Sequence, residues 1–143
     1  MKVRVQKLHP DAQLPRIATA GAACFDIQTI EHARVEEFGS CAIRTGLAFE
    51  VPAGHVLLVF SRSGHGFKNG LRLANCVGVI DSDYRGELMV KLHNDKALPF
   101  EFEPGDRIAQ ALILPLPVFE LEWSDGLTAT DRGAKGFGST GNA

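Results

Sequence analysis

The stretch from Asn75 to Glu87, NCVGVIDSDYRGE, crowds Asp81, Asp83, Tyr84, Arg85 and Glu87 into seven positions of a hairpin-like segment punctuated by Gly78 and Gly86. So dense a set of ionisable groups is costly unless it performs chemistry, although a solvated turn has the same composition. A second set, Ser61-Arg62-Ser63-Gly64, follows an apolar run ending at Phe60 and so stands at a strand end. There a guanidinium, a hydroxyl and a glycine amide can converge on an anion, and an ordinary Ser-Gly turn is the plain alternative. The third set is RGAKGFGSTG, Arg132 to Gly141. Its glycine amides can approach phosphate oxygens, with Ser139 and Thr140 adding hydroxyls and Arg132 and Lys135 adding charge. A dispensable flexible tail fits the glycines equally, but leaves Phe137 unexplained. Asp26 is a carboxylate inside the apolar alternation AACFDIQT, which a half-exposed strand position also accommodates. Gln110, inside RIAQALIL, needs a hydrogen-bond partner if buried. His9, His32, His55, His65 and His93 form neither a metal-ligand pattern nor a nucleophile-base pair, and read as surface or packing residues. His65 alone lies near a candidate site.

The elements that must position these groups are short β-rich runs: VRVQKL, CAIRTGLAFEV, HVLLVF, GELMVKLHN, PFEFE and RIAQALIL, separated by Pro-Ala-Gly, Ser-Gly, Asn-Asp and Pro-Gly-Asp turn signals. This spacing predicts an all-β sandwich or barrel with little helix. RIAQALIL has an ambiguous period, but Pro115 and Pro117 close it after eight residues, which suits a buried strand. Val56 to Phe60 and Ala111 to Leu114 are apolar at consecutive positions, so both faces need cover that one small sandwich supplies poorly. Self-association follows as an expectation. After Trp123 the text turns to SDGLTATDRGAKGFGSTGNA, so residues 1–123 are expected to form the β domain and residues 124–143 a flexible tail.

At 143 residues with 45% hydrophobic content, the chain suffices for one domain with a core and not for two. A net charge of -2 supplies no basic surplus for a nucleic-acid polymer. Cys24, Cys41 and Cys76 are odd in number and lack zinc spacing, which predicts reduced thiols and a cytoplasmic protein. No run approaches the roughly 20 apolar residues of a membrane span.

Taken in order and spacing, AACFDI, SRSG, NCVGVIDSDYRGE, PGDRIAQ and RGAKGFGSTG resemble the five motifs of the trimeric dUTPase family. The resemblance implies a jelly-roll homotrimer whose sites lie between subunits, with the tail closing over the nucleotide. It implies hydrolysis of dUTP to dUMP and pyrophosphate with Mg2+, limiting uracil in DNA and supplying dUMP. Asp81 matches the carboxylate that activates the water attacking the α-phosphorus. Asp26 matches the carboxylate that reaches magnesium through water. Arg62, Ser63, Gly64 and Gln110 match phosphate-binding positions, and Arg132, Gly138, Ser139 and Thr140 the tail's phosphate grip. Asn75 and backbone near Val79, Ile80 and Met89 match uracil contacts, Tyr84 the ring under deoxyribose, and Phe137 the lid over the base.

Four positions depart from the family's usual residues: Cys24 for Gly, Ser61 for Pro, His65 for Leu and Lys135 for Gly. A glycine lost where φ is positive costs about 1 kcal/mol or more. A dCTP deaminase-like enzyme and a nucleotide-responsive regulatory protein are the alternatives on this fold. SRSG and the tail argue against the deaminase, and the retention of Asp81 argues against a purely regulatory chain.

Overall fold

A computed structural model describes residues 1–136 of the chain. Eleven strands are present among them: β1 (Arg4–Lys7), β2 (Phe25–Gln28), β3 (Ala33–Val35), β4 (Ser40–Arg44), β5 (Leu47–Glu50), β6 (His55–Phe60), β7 (Leu71–Leu73), β8 (Gly78–Ile80), β9 (Met89–Asn94), β10 (Phe100–Phe102) and β11 (Arg107–Pro115). A single π-helical turn, His65–Asn69, interrupts them. The all-β expectation holds, and RIAQALIL is a strand bounded by Pro115.

All the pairings are antiparallel, and three are nested: β4 with β9, β3 with β10, β2 with β11. Nested pairs of this kind form one long double-stranded ribbon, and rolling that ribbon onto itself makes a jelly roll. The intervening strands fill the gaps, giving β2-β11-β6-β8 and β4-β9-β7 as the larger sheets and β1-β5 as a separate pair. The run CAIRTGLAFEV breaks into β4 and β5 at Thr45-Gly46. Gly46 has φ +66, and a Cβ there would meet the Cβ atoms of His9 and Ala12 at 2.9 and 3.0 Å, so glycine is needed on both counts.

The core collects the inward positions of these strands, including Ile27, Val35, Ile43, Leu57, Leu92, Phe102 and Ile108, each almost fully buried. Burying a side chain of this size contributes about 1.5–3 kcal/mol. The opposite face of the four-stranded sheet is treated differently. Leu58 pairs with Leu112 on one side and Val79 on the other, so the three share a face. Leu58 and Leu112 are half-buried and Val79 is 61% exposed. Regular structure ends at Pro115, and residues 116–136 run on without helix or strand. Along this arm Val118, Phe119, Leu121, Trp123 and Leu127 are exposed.

Candidate active site

Strand register assembles the first half of the site. Gln110 on β11 stands opposite Asp26 of β2 and Phe60 of β6, so Ser61 and Arg62, which follow Phe60, emerge beside both. Arg62 Nε donates to Asp26 Oδ1 at 2.9 Å, and Gln110 Nε2 donates to the Ser61 carbonyl at 3.0 Å. Gln110 thus has the partner that its place in an apolar strand demands. Ser61 Oγ accepts the Leu73 amide at 2.8 Å, a bond that proline's side chain could not make.

Arg107 completes this cluster, donating from Nη1 to Asp26 Oδ2 at 3.2 Å. In strict alternation Arg107, three residues before Gln110, would face away from it. The β2–β11 register slips between Arg107 and Ala109, so Arg107 pairs with Gln28, on the same face as Asp26. The bulge therefore turns a second guanidinium onto the carboxylate. Sequence reading passed over Arg107, because a one-residue slip leaves no mark in the text.

Ser63 and Gly64 follow Arg62 as exposed residues opening the π-helical turn. His65, within that turn, bonds through Nε2 to the Arg107 carbonyl at 2.8 Å, which makes Nε2 the protonated nitrogen. Its ring lies edge-on to Phe100 and Phe102, with centroids 5.8 and 5.2 Å away. His65 is thus a packing residue set behind the cluster.

The second half is a pair of adjoining cavities along β8 and the start of β9, the larger reaching Val59 of β6. One, of about 460 Å³, is lined by Asn75, Val79, Ile80 and Met89 among others. The other, of about 230 Å³, shares Val79, Ile80 and Met89 and adds Asp81 and Tyr84. Asn75 is presented by an unusual turn, in which the Val77 amide bonds the Asn75 carbonyl at 2.7 Å across Cys76 with φ 63. A positive-φ γ-turn is rare and strained. Nothing in the residue type of Cys76 announces it.

Asp81 begins a tight turn closed by the Tyr84 amide on the Asp81 carbonyl at 3.2 Å. Arg85 Nη1 caps the carbonyls of Ser82 and Tyr84 at 2.7 and 2.9 Å, and Tyr84 Oη donates to the Glu87 carbonyl at 3.0 Å. The Tyr84 ring lies across Gly86 so closely that a Cβ there would sit 2.4 Å from Tyr84 Oη. Glu87 accepts the Gly46 amide on Oε1 at 2.8 Å and Arg44 on Oε2 at 3.2 Å. Burial works to raise this carboxyl, but the Gly46 amide and the Arg44 guanidinium outweigh it and hold the group below the usual carboxylate range.

The candidate residues therefore fall into separate places. Asp26 and Arg62 bond each other and Gln110 bonds the Ser61 carbonyl beside them, with Ser63 and Gly64 next in the chain, and Asn75, Val79, Ile80, Asp81, Tyr84 and Met89 line the paired cavities. Arg132 lies on the exposed arm in a turn where the Lys135 amide bonds its carbonyl at 3.2 Å. Phe137, Gly138, Ser139 and Thr140 lie outside the described residues. Neither Cys24 nor Lys135 has positive φ, so neither substitution for the family's glycine carries that backbone cost.

A family model described as dUTPase matches residues 10–141, which includes both halves of the site. The chain belongs to the dUTPase family. It is 43% identical over 143 residues to the deoxyuridine 5'-triphosphate nucleotidohydrolase of Wolinella succinogenes, covering 100% of this chain and 96% of the relative. It is 47% identical over 146 residues to the protein of that name from Desulfitobacterium hafniense, covering 99% and 97%. Among solved structures, the dUTPase of Staphylococcus bacteriophage 80alpha with dUPNHPP superimposes with a TM-score of 0.91 at 29% identity, over 98% of each chain. A mutant dUTPase from phage phi11 of S. aureus, described as coordinating a structural Mg(II) ion, matches at TM-score 0.82 and 26% identity, over 88% of this chain and 98% of that one.

Proposed function

We propose that this chain hydrolyses dUTP to dUMP and pyrophosphate, with Asp81 accepting a proton from the water that attacks the α-phosphorus in line. The observation that carries this reading is the presence of two complementary halves, a base-sized cavity opening onto Asp81 and an anion cluster around Arg62. Asn75 and the backbone at Val79, Ile80 and Met89 read uracil by donor-acceptor order, leaving no room for a thymine methyl. Tyr84 lies under the sugar, where a ribose 2′-hydroxyl would collide. Arg62, Ser63, Gly64 and Gln110 hold the phosphates, Ser63 toward the bridging oxygen where leaving-group charge develops. Arg132, Phe137, Gly138, Ser139 and Thr140 close the site from the tail, residues 124–143.

Asp81 follows Ile80, which pairs with Leu57, whereas Arg62 lies past Phe60, the end of β6. The three strand steps from Leu57 to Phe60, at about 3.3 Å each, already put roughly 10 Å between them along β6, too far to serve one α-phosphate within a single chain. We read this as a site completed by another copy, in a homotrimer that also covers the apolar row of Val79, Leu58 and Leu112. Action in the cytoplasm, on free nucleotide rather than a nucleic-acid polymer, completes the reading.

The residues fit a magnesium ion held through water. Asp26 presents two oxygens, each receiving one arginine bond and each with acceptor capacity to spare. Two guanidinium groups beside it disfavour direct ligation, and among the described residues no group of three or more His, Cys, Asp or Glu could cage an ion. Magnesium, which keeps its water readily, would supply charge neutralisation on the triphosphate. The test is pyrophosphate release from dUTP, dTTP, dCTP and UTP with and without magnesium. Strong, magnesium-dependent preference for dUTP is expected, and ammonia release from dCTP or indifference among the four would overturn the assignment.

A further inference from the structure

Within residues 81–88, the connection that carries Asp81 and Tyr84, almost every side-chain hydrogen bond stays local. Arg85 bonds Ser82 and Tyr84, and Tyr84 Oη bonds the Glu87 carbonyl. Residues 83–86 are all exposed, so packing does little to hold them. Among the described residues, the Glu87 carboxylate is the one side-chain group of this loop hydrogen-bonded outside it. Its two oxygens reach the Gly46 amide and the Arg44 guanidinium, at the β4–β5 corner whose close packing leaves no room for a Cβ.

We propose that Glu87 is a positioning residue for sugar selection: its carboxylate fixes the end of the loop, at the Glu87 Cα, to the β4–β5 corner, and so sets how the loop brings the Tyr84 ring up to the Glu87 carbonyl that its hydroxyl bonds. The claim rests on the function proposed above, in which Tyr84 lies under the deoxyribose. The anchoring carboxylate is only 19% exposed and receives a charge-assisted bond from Arg44, so its removal is felt more than that of a surface pair. Leu88, next in the chain, has its own anchors, its amide on the Leu47 carbonyl at 2.7 Å and its carbonyl on Thr45 Oγ1 at 2.6 Å. The strand, and with it the Glu87 carbonyl that shares a planar peptide unit with the Leu88 amide, therefore stays in place when the carboxylate goes, and the change falls on the loop before it.

The experiment compares kcat/KM for dUTP and UTP in the full chain, in Glu87→Ala, Glu87→Gln and Tyr84→Phe, and in Glu87→Ala combined with Tyr84→Phe. Loss of a charge-assisted hydrogen bond predicts that Glu87→Ala lowers the dUTP:UTP ratio about tenfold, while Glu87→Gln, which still accepts the Gly46 amide, retains most of it. The double variant should lose little more than either single one, because both act through the placement of one ring. An unchanged ratio in Glu87→Ala, or additive losses in the double variant, overturns the proposal. If Glu87→Ala fails to fold, Glu87→Met, which keeps the bulk of the side chain but accepts neither bond, carries the test, a narrowed ratio supporting the proposal and an unchanged ratio overturning it. A wild-type chain inactive on dUTP would defeat the proposed function instead. The anchoring itself is then read by hydrogen exchange at the Tyr84 amide, which bonds the Asp81 carbonyl, where faster exchange in Glu87→Ala supports it and an equal rate refutes it.

Discussion

Asp26, Arg62 and Gln110 meet because three strands hold them in register, whereas Asp81 and Tyr84 are brought together inside one short loop. In the first group Asp26 and Gln110 sit on paired backbone and Arg62 just past the end of β6, and their polar atoms are bonded across β2, β11 and the segment that follows β6. The second sits on an exposed connection held by its own turn and by Glu87. A triphosphate is recognised by fixed charge, so a rigid cluster suits it. Base and sugar are recognised by shape, so a cavity edge that one tether can adjust suits them. The two regions should therefore fail in different ways when altered.

The largest effect is expected at Asp81. Asp81→Asn keeps shape and hydrogen bonding but removes the base, so turnover should fall by about 10² to 10⁴-fold while nucleotide binding, read by calorimetry, persists. Near-normal turnover would remove Asp81 from the chemistry. Next is the sharing of sites between chains. Asp81→Ala and a chain lacking residues 132–143, each nearly inactive alone, are unfolded, mixed equally and reassembled. Random assembly should restore about a quarter of the sites if Asp81 and the tail come from different subunits, and none if one chain supplies both. In the strand cluster, Arg62→Lys loses the planar fork that matches phosphate, which should raise KM at least tenfold without moving the dUTP:UTP ratio. In the loop, Tyr84→Ala should do the reverse, narrowing that ratio chiefly through faster UTP hydrolysis. If both variants changed the same parameter, the division between the regions would collapse.

The smallest effect is one of stability. Glu87 has a folded-state pKa below that of a free glutamate, about 4.3. Its stabilising contribution is therefore present above that value and lost as pH falls through the lower folded one. Glu87→Gln should flatten the acid side of the Tm profile below about pH 5 and leave the neutral side nearly level. A profile parallel to that of the wild type would show that Glu87 is not held as described.

Much of the fold was legible because strands announce themselves through alternation and proline stops, as RIAQALIL did with Pro115. The self-association expectation rested on Val56–Phe60 and Ala111–Leu114, and the half-covered Leu58 and Leu112 are the physical counterpart of those two-sided runs. Residue types also marked Arg62 and Gln110, since an arginine at a strand end and an amide inside an apolar strand both demand partners. What escaped was geometry set by neighbours far away in sequence. Arg107 reaches Asp26 only through a register slip, Cys76 adopts positive φ without a glycine to signal it, and Glu87 looks like one more turn charge until Gly46 comes beside it. The break between β4 and β5 was hidden too, since Thr45-Gly46 lies within an unbroken apolar-alternating run.

The nested ribbon also imposes an order on how the molecule comes into being. The base cavity is bounded by chain between Val59 and Lys91, while the contact from Arg107 to Asp26 joins residues 81 positions apart. Closing the longer loop costs more entropy, and pairings between distant strands are slow to form. During refolding the cavity half can take shape on a partly folded chain, but the anion cluster exists only once the outermost strands have zipped together. On the function proposed above, triphosphate affinity during refolding should therefore appear no earlier than the Arg107–Asp26 contact, and after the cavity has formed.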